Sequence, residues 1–230
     1  MDVEYDRPFR RPIFKVSRSA VEILECFYDA LSSEYPLAMS DLSAAPVISM
    51  GDVAIRVKLF RGNGLLEVGA EKFTARFDGL QSKTDVDVVK TVIRLSENAL
   101  ERGLPGTEYK WTAIRTAAWS ACEDGEEAVQ ALLDKYGAQK GNVFPKKLGK
   151  GNTKKSIGGS FTSSNEGWML SFLMEISEIT NFNLFFKCDS TYIEGGKFVN
   201  FDEKVEHFEI VHRSLLEHYG FEAISENQDA

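Results

Sequence analysis

Long apolar runs, cysteines and histidines are all scarce in this sequence, and each scarcity excludes a class of protein. The longest nearly apolar stretch, Trp168 to Met174 (WMLSFLM), is far short of the roughly 20 residues that span a bilayer. The opening MDVEYDRPFRRP has no apolar segment after its charges, so no secretory signal is expected and no membrane partner either. Three cysteines, Cys26, Cys122 and Cys188, lie far apart among apolar or β-branched neighbours. Disulfide and metal frameworks need closer, paired spacing, so free buried thiols and a reducing cytoplasm are expected.

Histidine is confined to positions 207, 212 and 218. Spacings of five and six put no two on one helical face as the i, i+4 pair of a metalloprotease does, so no metal site is expected. His212 falls on an apolar helical face and reads as a hydrogen-bonded core or interface histidine, whereas Glu203 and His207, four apart, read as a surface pair. The chain also lacks the motifs of nucleotide and nucleophile chemistry. Gly149-Lys150 is followed by Gly151, with no glycine at 144, so the phosphate-cradling pattern is absent. Gly-Gly-Ser160-Phe lacks the second glycine of a nucleophile elbow, and no cysteine has a histidine nearby in sequence. The acids Glu175, Glu178, Asp189 and Glu194 lie on or beside apolar strands and read as outward-facing. No catalytic residue and no cofactor are expected.

What is present is ordinary globular composition with an uneven charge. Hydrophobic residues make up 43% and charged residues 27% of 230, enough for one well-buried domain or two small ones. Lys135–Asn165 holds seven lysines and no acid; since the chain totals −8, the remainder carries −15. Five of those lysines, Lys146, Lys147, Lys150, Lys154 and Lys155, crowd the stretch PKKLGKGNTKKSIGGS. They read as a solvated loop and, secondarily, as a contact for an acidic surface or for nucleic acid.

Periodicity supplies the elements. Pro12–Val16 is short and β-prone. Val21, Leu24, Phe27, Tyr28 and Leu31 recur at helical spacing after Ser17 or Ser19. Residues 33–50 read as a loop, the counterpart of the lysine stretch in the duplicated order, ending in a short strand at Pro46–Met50. Val53, Ile55, Val57 and Leu59 alternate as a strand, Asn63-Gly64 signals a hairpin, and Leu65–Ala70 and Lys72–Phe77 continue the sheet. A helix capped by Thr84 runs to Gly103. The order then restarts: a strand over Glu108–Cys122, a helix capped by Asp124, strands over Ser156–Ser163, Trp168–Ile176 and Asn183–Ile193, and a helix capped by Asn200 that ends at Gly220.

The fold class expected is therefore α+β: antiparallel sheet with helices packed on one face, in two pseudo-repeats of order β-α-β-β-β-α over 1–103 and 104–222. Residues 223–230 are expected to be a flexible polar tail. In element order, though in no motif, this resembles folds that bind nucleic acid through an open sheet face, the TATA-binding saddle among them; order alone assigns no function. Trp111 and Trp119, eight apart, share a strand face that Tyr109 joins, and Arg115 lies between them. These residues and the five lysines are the candidate binding sites. The expectation is a cytoplasmic, non-enzymatic interaction module whose partner is another protein, a second copy included. The alternative is a nucleic-acid or nucleotide binder acting through the basic loop 146–155.

Overall fold

Alternation in the first eight residues already sorts the two faces of the sheet. In strand β1 (Asp2–Pro8), Val3, Tyr5 and Arg7 point one way and Asp2, Glu4 and Asp6 the other. The computed structural model describes residues 1–45, 49, 51–120, 131, 135, 156–176 and 184–219. In chain order follow the short helix α1 (Lys15–Arg18), α2 (Ala20–Leu31), β2 (Leu42–Ala44), β3 (Val53–Leu59), β4 (Gly64–Gly69), β5 (Lys72–Phe77) and α3 (Lys83–Gly103). Then come β6 (Trp111–Ser120), β7 (Ser156–Ser163), β8 (Trp168–Ile176), β9 (Leu184–Ile193) and α4 (Phe201–His218).

Among the described residues nine strands form one antiparallel sheet in the order β2-β3-β4-β5-β1-β6-β9-β8-β7. The expectation of an α+β chain with extensive antiparallel sheet holds. β1 sits at the middle, pairing Val3 with Phe77 on one side and with Thr116 on the other. The expected strand at Pro12–Val16 is not there: the first strand lies ten residues earlier, and Lys15–Arg18 is helical. Pro12 and the arginines before it break the alternation that Val3, Tyr5 and Arg7 keep. Two other boundaries move. The cap of α3 is Ser82 rather than Thr84, because Asp85 closes a reciprocal pair with it: its N–H donates to Ser82 Oγ (3.1 Å) and its carboxylate accepts the Ser82 N–H (2.9 Å). The β3–β4 hairpin turns through Phe60, Arg61 and Gly62 at φ of 53°, 57° and 100°, so the left-handed residues precede Asn63-Gly64. The expected strand at Pro46–Met50 and helix after Asp124 fall mainly outside the described residues.

The Tyr5 side of the sheet carries the core. Tyr5 meets Phe73 of β5 edge-on at 6.2 Å and Phe201 of α4 at 5.6 Å, and Phe73 in turn meets Phe27 of α2. Across the sheet, Leu170 and Met174 of β8, Leu184, Phe186 and Cys188 of β9, and Phe208 of α4 extend the same cluster. Helices α3 and α4 are tied together by Arg94, which donates to Asp202 (2.6 Å), and by Lys90 with Glu209. Among the described residues no helix is long and apolar enough to cross a membrane.

Phe73 is fully buried at the junction of three elements. Phe73→Ala is expected to cost about 3–5 kcal/mol, through lost burial plus the cavity left behind. Urea unfolding at unchanged m-value measures it; a loss below about 1 kcal/mol would mean that this junction does not hold the sheet to α2.

Candidate functional site

Two places gather chemistry, and the sequence singled out one of them. The first is the sheet face opposite Tyr5. Residues paired across antiparallel strands share a face, so Glu4 lies with Arg115 of β6, and Arg115 with Asp189 of β9 and Ser171 of β8. Arg115 donates through Nε to Asp189 (2.8 Å) and through Nη1 to Glu4 (2.9 Å), and Asp6 lies 3.5 Å away. Neighbouring strands repeat the pattern: Lys72 faces Asp6 at 3.2 Å, Arg76 faces Glu4 at 3.6 Å and Arg56 holds Glu67 at 2.6 Å. Following the register across the nine strands, this face bears Arg56, Lys58, Lys72, Arg76, Arg115 and Lys187 against Asp2, Glu4, Asp6, Glu67, Glu175 and Asp189. Among the described strand residues six charges of each sign balance, and the guanidinium at the centre is already bonded to carboxylates.

Trp111 and Trp119 lie on this same face, as their spacing required, at opposite ends of β6 and roughly 27 Å apart along the strand. Trp119 packs on Phe185 (5.4 Å between ring centres), with Leu173 one strand further on the same face. Trp111 stands opposite Ile193, which is 48% exposed, near Met169 at 42%. The face therefore has two apolar ends around an ion-paired middle. Tyr109 does not join it: its ring lies under the Arg7 guanidinium (3.5 Å) and against Phe9. Lys146, Lys147, Lys150, Lys154 and Lys155 lie outside the described residues.

The second place was missed by sequence reasoning. On the Tyr5 side, the Arg7 guanidinium bridges Glu97 of α3 and Glu194, which follows β9. Tyr5 also donates its hydroxyl to Glu97. A single oxygen, Glu194 Oε1, accepts from Arg7 (3.2 Å), Thr112 (3.1 Å) and the buried Lys204 ammonium of α4 (2.8 Å). Burial pushes the Glu194 carboxyl up, but the bond and charge of Lys204, helped by Arg7, overcome it and hold the group below its ordinary value. Burial raises the Tyr109 hydroxyl to about 12, so it stays neutral. Outward of this cluster opens a cavity of about 600 Å³ lined by Arg7, Arg10, Glu97, Glu101, Glu108, Tyr109 and Glu194 among others. The cluster joins residues 5, 7, 97, 112, 194 and 204, and a lysine or glutamate in an amphipathic pattern carries no sign that it will be buried.

Other titratable groups serve packing. Cys188 is buried and its thiol is pushed up to about 12 by that burial, which leaves no thiolate at neutral pH. His207 does not pair with Glu203: its ring packs between Trp168 and Phe198, its Nδ1 meets the Tyr192 hydroxyl (3.1 Å), and Glu203 accepts the Val199 N–H. His212 lies between Phe186 and Phe208, and burial lowers it to about 4, but its buried Nε2 has no hydrogen-bond partner, so it is held by ring packing rather than by the hydrogen bond expected. Among the described residues, no group of three His, Cys, Asp or Glu side chains is placed to hold a metal ion.

Two outcomes are expected. Glu194→Ala strands the Lys204 ammonium, which is 3% exposed, and costs about 3 kcal/mol; joining it to Lys204→Met returns much of that loss. Chemical denaturation of the single and double variants measures the difference, and equal costs would deny the pairing. His212 gives a pH signature. The unfolded imidazole takes a proton near its ordinary value of 6.5 and the folded one only near 4. The unfolded state then binds more protons in that window, so this contribution is fully present above pH 6.5 and is lost as pH falls toward 4. His212→Phe is expected to flatten the stability–pH curve there; an unchanged slope would place the titration elsewhere.

No protein-family model matches this chain, and no curated protein matches it. Among solved structures, the chain is similar to Methanococcus jannaschii TBP, at 10% identity over 94% of this chain and 97% of that one, with a TM-score of 0.26. At that score and identity the likeness carries no argument about function.

Proposed function

We propose that this chain is a non-enzymatic interaction module that grips a partner protein with the sheet face bearing Trp111, Arg115 and Trp119. In this reading the helices cover the opposite face, and the sheet is the product of a duplication with halves at 1–103 and 104–222. Strand order supports the duplication: read outward from the centre, β1-β5-β4-β3 and β6-β9-β8-β7 run alike. A cytoplasmic setting accords with free cysteines such as Cys26 and Cys188.

The observation that carries the proposal is the neutrality of the face together with its two aromatic ends. A nucleic-acid surface must present unspent positive charge to phosphates. Here Arg115 is spent on Asp189 and Glu4, and the face as a whole is balanced. Protein interfaces, in contrast, concentrate their affinity in a few aromatic anchors, with satisfied polar groups around them. The nucleic-acid alternative is left to the lysine stretch 146–155 alone.

Purification of the full chain with its bound partner from the native host provides the test. Trp111→Ala and Trp119→Ala are each expected to weaken retention by about thirtyfold, corresponding to about 2 kcal/mol for an aromatic anchor. Exchanging Lys146, Lys147, Lys150, Lys154 and Lys155 for Gln is expected to leave retention unchanged. The reverse pattern, with binding that falls steeply with salt, would replace this reading by the nucleic-acid one.

A further inference from the structure

The two edges of the sheet are built differently. β2 is three residues long, the usual brevity of a protected edge, whereas β7 is eight residues long and keeps register with β8 without a bulge. Natural edges of that length carry a charge, a proline or a bulge against unwanted pairing. β7, with sequence SIGGSFTS, has none of these. Among the described residues no strand pairs with its outer side, and Gly158 to Thr162 are all exposed.

Its side chains point to what could lie there. Gly159 stands opposite Phe172, whose ring crosses it so closely that a Cβ would come within 2.8 Å. An aromatic ring laid over an edge glycine shields the backbone from the β8 side. Phe161, on the same face of β7 as Gly159, touches Trp168 (5.2 Å between ring centres) yet remains 55% exposed.

We propose that β7 is a self-association edge, where two copies of this chain pair β7 with β7 about a two-fold axis and continue the sheet from one copy into the next. The proposal does not rest on the reading of the Trp111–Trp119 face. A two-fold axis makes a strand antiparallel to its own copy, as every other pair in this sheet already is. Self-pairing also brings no like charges together, since β7 bears none, although each molecule carries −8. With the axis at Ser160, Phe161 of one copy lies opposite Gly159 of the other on the same face, beside the Phe172 ring. A foreign strand would be recognised by side-chain pockets along the edge. Beside Phe161, β7 offers only serine, threonine and glycine, and the ring of one copy fits over the Gly159 of the other, so its best-matched occupant is itself.

Sedimentation velocity on the full chain at concentrations up to about 100 μM tests this. The mass is expected to rise with concentration from 25.7 kDa toward twice that value. Ser160→Lys and Thr162→Lys, each placing a lysine at an exposed edge position, are expected to raise the dissociation constant at least tenfold with unchanged circular dichroism. A wild-type chain that stays at the monomer mass would overturn the proposal, as would a dimer that both lysine variants leave intact. So would a dimer that Trp119→Ala dissolves and the lysine variants do not. Retention of a partner protein by the lysine variants, measured alongside, separates failure of this edge from failure of the Trp119 face.

Discussion

A guanidinium and an ammonium buried under the centre of the sheet set the terms for the rest of the molecule. Arg7 and Lys204 cannot leave water without carboxylates to meet them, and Glu97 and Glu194 are the groups that do. Those four residues come from β1, α3, the turn after β9 and α4. Satisfying them fixes where both long helices lie on the central strands. The apolar contacts of Tyr5 with Phe73 and Phe201 supply much of the burial, and they are permissive about angle and register. The charged cluster is not permissive, because a displaced Glu194 would abandon three donors at once.

The same sheet uses charge in opposite ways on its two sides. Under the helices, charge is sparse, buried and matched atom by atom. On the far side it is plentiful, half-exposed and matched strand by strand, with Arg115 as the hub between the two central strands and β9. Such a lattice contributes little stability per exposed pair. Its effect is on recognition: a surface whose charges already answer one another has little left for a polyanion, and its apolar ends dominate what it can hold.

Legibility from sequence followed the range of the interaction. Alternation is local, so β3, β5, β8 and β9 and the shared face of Trp111 and Trp119 could be read directly. Capping is local too, and Asn200 of α4 accepts the Glu203 N–H as its spacing implied. β1 was overlooked because its inward positions are Val3, Tyr5 and Arg7, and an arginine in an alternating pattern reads as outward-facing. Nothing within ten residues of Arg7 reveals that Glu97 and Glu194 will meet it. Tyr109 leaves the face of Trp111 for the same reason, since its partner is that arginine. Arg115 was found for its interruption of an apolar strand, but the three acids that surround it are distributed between residues 4 and 189 and were not foreseeable.

The central position of β1 has a consequence for the order in which the molecule can assemble. Its partners at Val3 lie at Phe77 and Thr116, so its two ladders close far longer loops than the hairpins β3–β4–β5 and β8–β9. Closure entropy favours those local hairpins first. Until β1 arrives, the inner edges of β5 and β6 are both bare, with the hydrophobic side of each sheet half uncovered at the seam. The pairing of β6 with β9, Trp111 with Ile193, closes a loop just as long, so both sides of β6 wait on distant partners while the hairpins need none.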